Sequence, residues 1–190
     1  MQTAIKKRVQ ETSGIKGYYV LTLADVSSPE ARAMQDRIVD LRDNGDKVGA
    51  MNLLREFNDR FMVSREEVHN LVPTVGRTMQ AARLAGTTTL TGVVNKVALG
   101  TSSATPVNAD TQLGTEVYRN TLLSATYASN IAYLTGFFTA AECNGTYSEV
   151  GLFVDGTASA NTGTLFSHAL ASITKSAIQT LTIDWVVTIS

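Results

Sequence analysis

The chain has 190 residues, 16 Lys+Arg against 17 Asp+Glu, a net charge of −1, and 44% hydrophobic with 17% charged residues. A globular chain of this length buries roughly 70% of its unfolded surface, so it needs neither disulfides nor a metal to hold a core. The near-zero charge argues against an electrostatic grip on nucleic acid or anionic lipid, a single cysteine, Cys143, excludes an internal disulfide or multi-cysteine zinc site, and no apolar run approaches the roughly 18 residues of a membrane span.

The first residues, MQTAIKKRVQET, are polar and lack an apolar signal core, so the expected setting is a cytosol-like compartment or a larger particle that leaves it. Lys6-Lys7-Arg8 is too short a basic run for nucleic acid and reads as a solvated terminus or an arm that docks on a partner chain. Ile15–Val26 is rich in β-branched and aromatic residues and predicts a strand. Ser28-Pro29-Glu30 then supplies a cap, a first-turn proline and an acid for the positive helix end. Ala31, Met34, Ile38 and Leu41 make one apolar helical stripe. Asn44-Gly45 breaks the chain, and Asp46 caps a second helix with stripe Val48, Met51, Leu54 (or Leu53) and Phe57. Together these form a helical hairpin over 28–58. Arg60–Val72 predicts a strand that pairs back on the first, and Pro73 starts a short helix (Val75, Met79 and Ala82 on one face) ending at Gly86.

Near Gly86 the composition changes. Residues 1–84 carry 24 charges; residues 85–190 carry nine: Lys96, Arg119, Lys175, Asp110, Glu116, Glu142, Glu149, Asp155 and Asp184. The expected organisation is therefore 1–86, a strand pair with its inserted hairpin and short helix, and 87–190, a β-sandwich, with strands 15–26 and 60–72 sharing one core. Six strands are predicted there: Val93–Leu99, Val117–Tyr127, Ile131–Thr139, Tyr147–Asp155, Gly163–Ala169 and Thr180–Ser190, with a loop at Gly100–Asp110 and turns at Asn144-Gly145 and Asp155-Gly156. In the last strand Leu181, Ile183, Trp185, Val187 and Ile189 alternate with Thr180, Thr182, Asp184, Val186, Thr188 and Ser190, the pattern of a half-buried strand with Trp185 inward. The expected fold is α+β: an antiparallel β-sandwich with an inserted helical hairpin and one further short helix in the N-terminal half.

Few residues offer chemistry. No dinucleotide, phosphate-loop, zinc-protease or nucleophile-elbow motif occurs. His69 lies beside Glu66 and Glu67, and Cys143 with His168 can be drawn as nucleophile and base, but neither pair has supporting spacing. Glu142 and Glu149 flank the turn NGTY and would meet if its strands paired. A pocket bringing Glu142, Glu149 and a histidine together would point to an enzyme. Asn144-Gly145-Thr146 matches a glycosylation sequon and reads as a turn. Tyr18, Tyr19, Tyr118, Tyr127, Tyr133 and Tyr147 have too few basic neighbours for a nucleic-acid platform, and the long loops 100–115 and 156–163 hold no aromatic residue for a sugar. The expectation is no catalytic, cofactor-binding or metal-binding residue. A surface of small hydroxyls with few charges suits a subunit covered by neighbouring chains.

Four stretches, EEVHNLVPTVGRTMQAARLAG (Glu66–Gly86), NKVALGTSSATPVNADTQLGTEVYRN (Asn95–Asn120), FFTAAECNGTYSEVGLF (Phe137–Phe153) and TLTIDWVVTIS (Thr180–Ser190), occur in an order that resembles a family of tailed-bacteriophage virion structural proteins, tail-fibre-like or tail-collar-like. The likeness covers about residues 60–190; the helical insertion at 28–58 lies outside it. It implies a non-enzymatic virion subunit at the tail, neck or fibre base, assembled in the bacterial host cytoplasm as a symmetric homo-oligomer. Its implied partners are other virion proteins, with no nucleic acid, membrane, cofactor or small-molecule substrate. The alternatives are a capsid decoration (cement) protein and a receptor- or carbohydrate-binding sandwich. Under the resemblance Gly100 and Thr101 are turn residues, Glu116 and Arg119 a structural pair, and Glu149, Gly151, Leu152 and Phe153 part of a family strand. The hairpin, with Arg32, Asp36, Arg37, Arg42 and Glu56 on it, is either a docking element or a lid on the sheet.

Overall fold

A computed structural model describes residues 14–190, so the basic run Lys6-Lys7-Arg8 lies outside the described residues. Alternating apolar and hydroxylic residues build two antiparallel sheets. The first has five strands, in the order β2 (Met62–His69), β1 (Ile15–Asp25), β9 (Gln179–Ile189), β6 (Ile131–Phe138) and β5 (Ser124–Ala128). The second has four, in the order β4 (Glu116–Thr121), β3 (Val94–Gly100), β7 (Gly145–Val154) and β8 (Thr164–Lys175). Facing residues of the two sheets close one core: Tyr19, Leu21, Ile183, Trp185 and Val187 on one side, Val97, Leu99, Val150 and Leu152 on the other. Trp185 is buried as its alternation predicts, and its ring meets Tyr19 edge-on at 4.8 Å between centroids.

The compositional change at Gly86 does not separate the cores. Strand β1 sits between β2 and β9, pairing Leu21 with Glu66 on one side and Ile183 on the other.

The helical hairpin comprises α1 (Pro29–Asp43) and α2 (Lys47–Phe61). Ser28 Oγ accepts from Ala31 N at 3.1 Å and Asp46 Oδ1 from Gly49 N at 2.8 Å, so both predicted caps act. Ala31, Ile38, Ala50, Leu54 and Phe57 pack on Ala24, Val26, Leu123 and Phe137, and the hairpin covers one end of the five-stranded sheet's outer face. Val48 departs from the expected stripe: it is 74% exposed, and Ala50 takes the buried position one helical turn before Leu54.

A third helix, α3 (Thr74–Leu84), lies along edge strand β8. Met79 is buried; Gly76, rather than Val75 or Ala82, is the other buried position. A Cβ on Gly76 would stand 3.0 Å from the Phe166 carbonyl oxygen and 3.1 Å from that of Leu165, so any larger residue would push the helix away from that strand's backbone.

The expected single strand Val117–Tyr127 is two strands in different sheets. Leu122 N donates to Asn95 O in one sheet and Leu123 N to Thr135 O in the other. Two successive buried leucines break the alternation because the chain steps there between layers. The second part therefore contributes seven strands rather than six. The predicted strand Gly163–Ala169 continues to Lys175, and Gly100 ends β3 instead of making a turn.

Candidate functional site: two loops pinned on the outer face of one sheet

Glu149 and His168 occupy adjoining strands, β7 and β8, and point to the outer face of the four-stranded sheet. Loop 101–115 folds back over that face. Its Leu113 packs on Ala98, Phe153 and Leu165 in a small second core. The carboxylate of Glu149, wholly buried, then receives three backbone donors, Ser102 N at 3.2 Å and Thr115 N at 2.7 Å on Oε1 and Gly114 N at 2.9 Å on Oε2, and Oε2 also lies 3.0 Å from His168 Nε2. The other ring nitrogen of His168 meets Asp110 Oδ2 at 2.9 Å, and the same oxygen accepts from Val107 N at 2.8 Å. Both ends of the loop and its middle are thus tied to one buried acid–imidazole–acid chain. Gly100 makes room for it, since a Cβ there would come within 2.3 Å of Glu149 Oε1.

A second buried pair holds the other loop. Strand β4 carries a bulge opposite the Leu99/Gly100 step, which leaves Val117 exposed and turns Glu116 onto the face of Arg119. Arg119 Nη2 donates to Glu116 Oε2 at 2.7 Å, with both side chains almost fully buried. Arg119 Nη1 donates to Thr162 O at 3.1 Å, Thr162 Oγ1 at 2.9 Å and Thr157 O at 3.2 Å, while Asn161 N donates to Glu116 Oε2 at 2.9 Å. The guanidinium lies over the Phe153 ring, 4.7 Å from its centroid. Glu116 and Arg119 therefore fix the shape of loop 155–163.

A buried lysine fixes the crossover between the sheets. Lys175 Nζ donates to Glu142 O and Asn144 Oδ1, each at 2.7 Å, and to Ala140 O at 3.2 Å. Burial pushes its pKa down. Asn144 and its sequon lie in this turn.

The expected pairings form only in part. Glu149 and a histidine do converge, with Asp110 as the third member. Glu142 is not among them: it accepts from Thr139 N at 2.7 Å and from Asn120, because β6 and β7 belong to different sheets and the NGTY turn does not pair its flanks. Cys143 is buried with its thiol pushed up to about 12 by desolvation, and both nitrogens of His168 are already committed to carboxylates, so these two make no nucleophile and base. His69 is exposed and meets Tyr18 edge-on at 6.4 Å. No cluster of three His, Cys, Asp or Glu able to hold a metal occurs among the described residues, and no described helix is long and apolar enough to cross a membrane.

Chemically the Glu149 site is closed. Three backbone N–H groups and the His168 ring crowd its two oxygens, and the side chain is wholly buried, so neither oxygen faces a substrate. What the arrangement does is hold two surface loops in one shape.

The family resemblance implied the pairing of Glu116 with Arg119, whereas Glu149, His168 and Asp110 are linked by no short spacing and were not paired from the sequence. No family model, curated protein or solved structure matches this chain.

Proposed function

We propose that this protein is a non-enzymatic virion structural subunit of a tailed phage, at the tail, neck or fibre base. It assembles as a symmetric oligomer through the face formed by loops 101–115 and 155–163. One observation carries the reading. All nine charged residues of the segment 85–190 are buried or half-buried, and several of them pin these loops from beneath. The loop surface is left to Thr101, Ser103, Thr105, Thr157, Ala158 and Ser159, all exposed and all small. Interface centres are depleted of charge, and a loop ordered before contact has little conformational entropy left to lose. Isolated soluble domains, by contrast, keep roughly a quarter to a third of their surface charged.

The closed hydrogen bonding of Glu149 supports the non-enzymatic part of the reading. The resemblance of four ordered sequence stretches supports the virion part. Helices α1 and α2 cover the sheet with one face and carry Arg32, Asp36, Arg37 and Glu56 exposed on the other, which suits docking on a second protein type.

The test is light scattering on the purified chain, with and without Thr105→Glu plus Ala158→Glu. An oligomer that the double substitution converts to a folded monomer is the expected result. A wild-type chain that stays a 20.4 kDa monomer at high concentration, or an oligomer indifferent to both charges, overturns the proposed face.

A further inference from the structure

Beyond this assembly role, and independent of it, the cleft between α2 and the outer face of the five-stranded sheet has the makings of a ligand site. Two adjoining hollows of about 360 and 300 Å³ share Arg55, Asn58 and Asp184. Each lies at the lower end of the roughly 300–1,000 Å³ typical of small-molecule sites. Asp184 forms the floor. Thr135 donates to its Oδ1 at 2.7 Å, and Oδ2 has no protein donor among the described residues. Burial raises its pKa, with the Thr135 hydrogen bond and then Arg55 and Arg65 acting the other way. Arg55 and Arg65 line the cleft, and neither makes an ion pair or side-chain hydrogen bond among the described residues. Asn58 is anchored by Thr182 at 3.1 Å. Tyr133, 41% exposed, forms one wall.

The mixture of groups selects the ligand class. A simple anion would be repelled by Asp184 and Asp59, both of which line the cleft. A simple cation would meet two guanidiniums. An apolar ligand would desolvate Asp184 Oδ2 without giving it a donor. A polyol meets all of these, because each hydroxyl both donates and accepts: guanidinium and amide donate to its oxygens, carboxylates accept its protons. A pyranose also presents a flat C–H face that packs on an aromatic ring. The loops of this protein lack aromatic residues, but the strand face supplies one.

We propose that the cleft bounded by Arg55, Asn58, Asp184 and Tyr133 binds a neutral saccharide.

The test is an array of neutral hexose, deoxyhexose and N-acetylhexosamine glycans, with uronic-acid glycans alongside, probed with the full chain. The expected outcome is binding to a neutral glycan, weakened about tenfold or more by Tyr133→Ala and by Asp184→Asn, as expected for one lost packing face or one lost charge-assisted hydrogen bond. Tyr133→Phe keeps the ring and retains binding. Circular dichroism confirms that each variant is folded; Arg65→Ala, on an exposed strand-edge residue, serves if Asp184→Asn is not. Absence of binding across the array, binding confined to uronic-acid glycans, or binding unchanged in all cleft variants overturns the proposal. None of these outcomes alters the oligomeric state, so the assembly reading is tested separately.

Discussion

Replacing Glu149 with glutamine tests whether the buried acid holds loop 101–115. The amide has the carboxylate's shape but one acceptor oxygen instead of two. With its nitrogen turned toward Ser102 N and Thr115 N, two donors lose their acceptor; turned the other way, it faces Gly114 N and His168 Nε2. In the second orientation the amide can still donate to His168 if Nε2 carries no proton, so the smallest loss is one orphaned backbone N–H plus the charge assistance of the remaining bonds. An unsatisfied buried donor costs about 1–3 kcal/mol, and a hydrogen bond to a charged group contributes about 1.5–3 kcal/mol. The expected destabilisation is therefore about 3 kcal/mol. For a chain of this size, melting falls about 2–4 °C per kcal/mol, giving a drop of roughly 6–12 °C. Scanning calorimetry reads the loss, and amide hydrogen exchange reads its place: Ser102, Gly114 and Thr115 should exchange faster while the β1–β9 amides change only by the global shift. A loss below about 1 kcal/mol with unchanged exchange in 101–115 would show that Leu113 packing alone holds the loop.

Trp185→Ala removes a side chain buried against Tyr19 and should cost about 3–5 kcal/mol in urea unfolding; a variant as stable as wild type would contradict its place in the core. Asp184→Asn makes a pH-dependent prediction. Because burial raises the folded pKa of Asp184, the folded state binds its proton more tightly than the unfolded chain, so the ionised group opposes folding above that folded value. Asparagine keeps the bond from Thr135 without the charge. The variant should therefore melt higher than wild type at neutral pH, and the gap should close as pH falls through the raised value toward the ordinary 3.8; a gap constant with pH refutes the burial effect.

Much of the scaffold was legible because its signals are local. The alternation from Leu181 to Ile189 identified the central strand β9 and buried Trp185, since side chains point to opposite faces at every step. Ser28, Pro29, Asn44-Gly45 and Asp46 bounded both hairpin helices, since capping acts within three residues. Glu116 and Arg119 are a pair under the family resemblance, and the bulge at Val117 that turns them together has no local signal in the sequence. Val48 was misread because spacing alone does not say which of two overlapping stripes meets the sheet.

What the sequence by itself determined is the three helices, the caps of the hairpin pair, all the strands except for the split of Val117–Tyr127 into two, and the unequal sharing of charge between the two parts of the chain. Only the tertiary structure decided where those scarce charges went. Glu149, His168 and Asp110 come from two strands and a loop, and Arg55, Arg65 and Asp184 from a helix and two strands. Periodicity records which face of an element avoids water. It does not record which distant segment arrives to cover that face, because that depends on the register and packing of whole layers, where a charge must find its partner or remain open to a ligand.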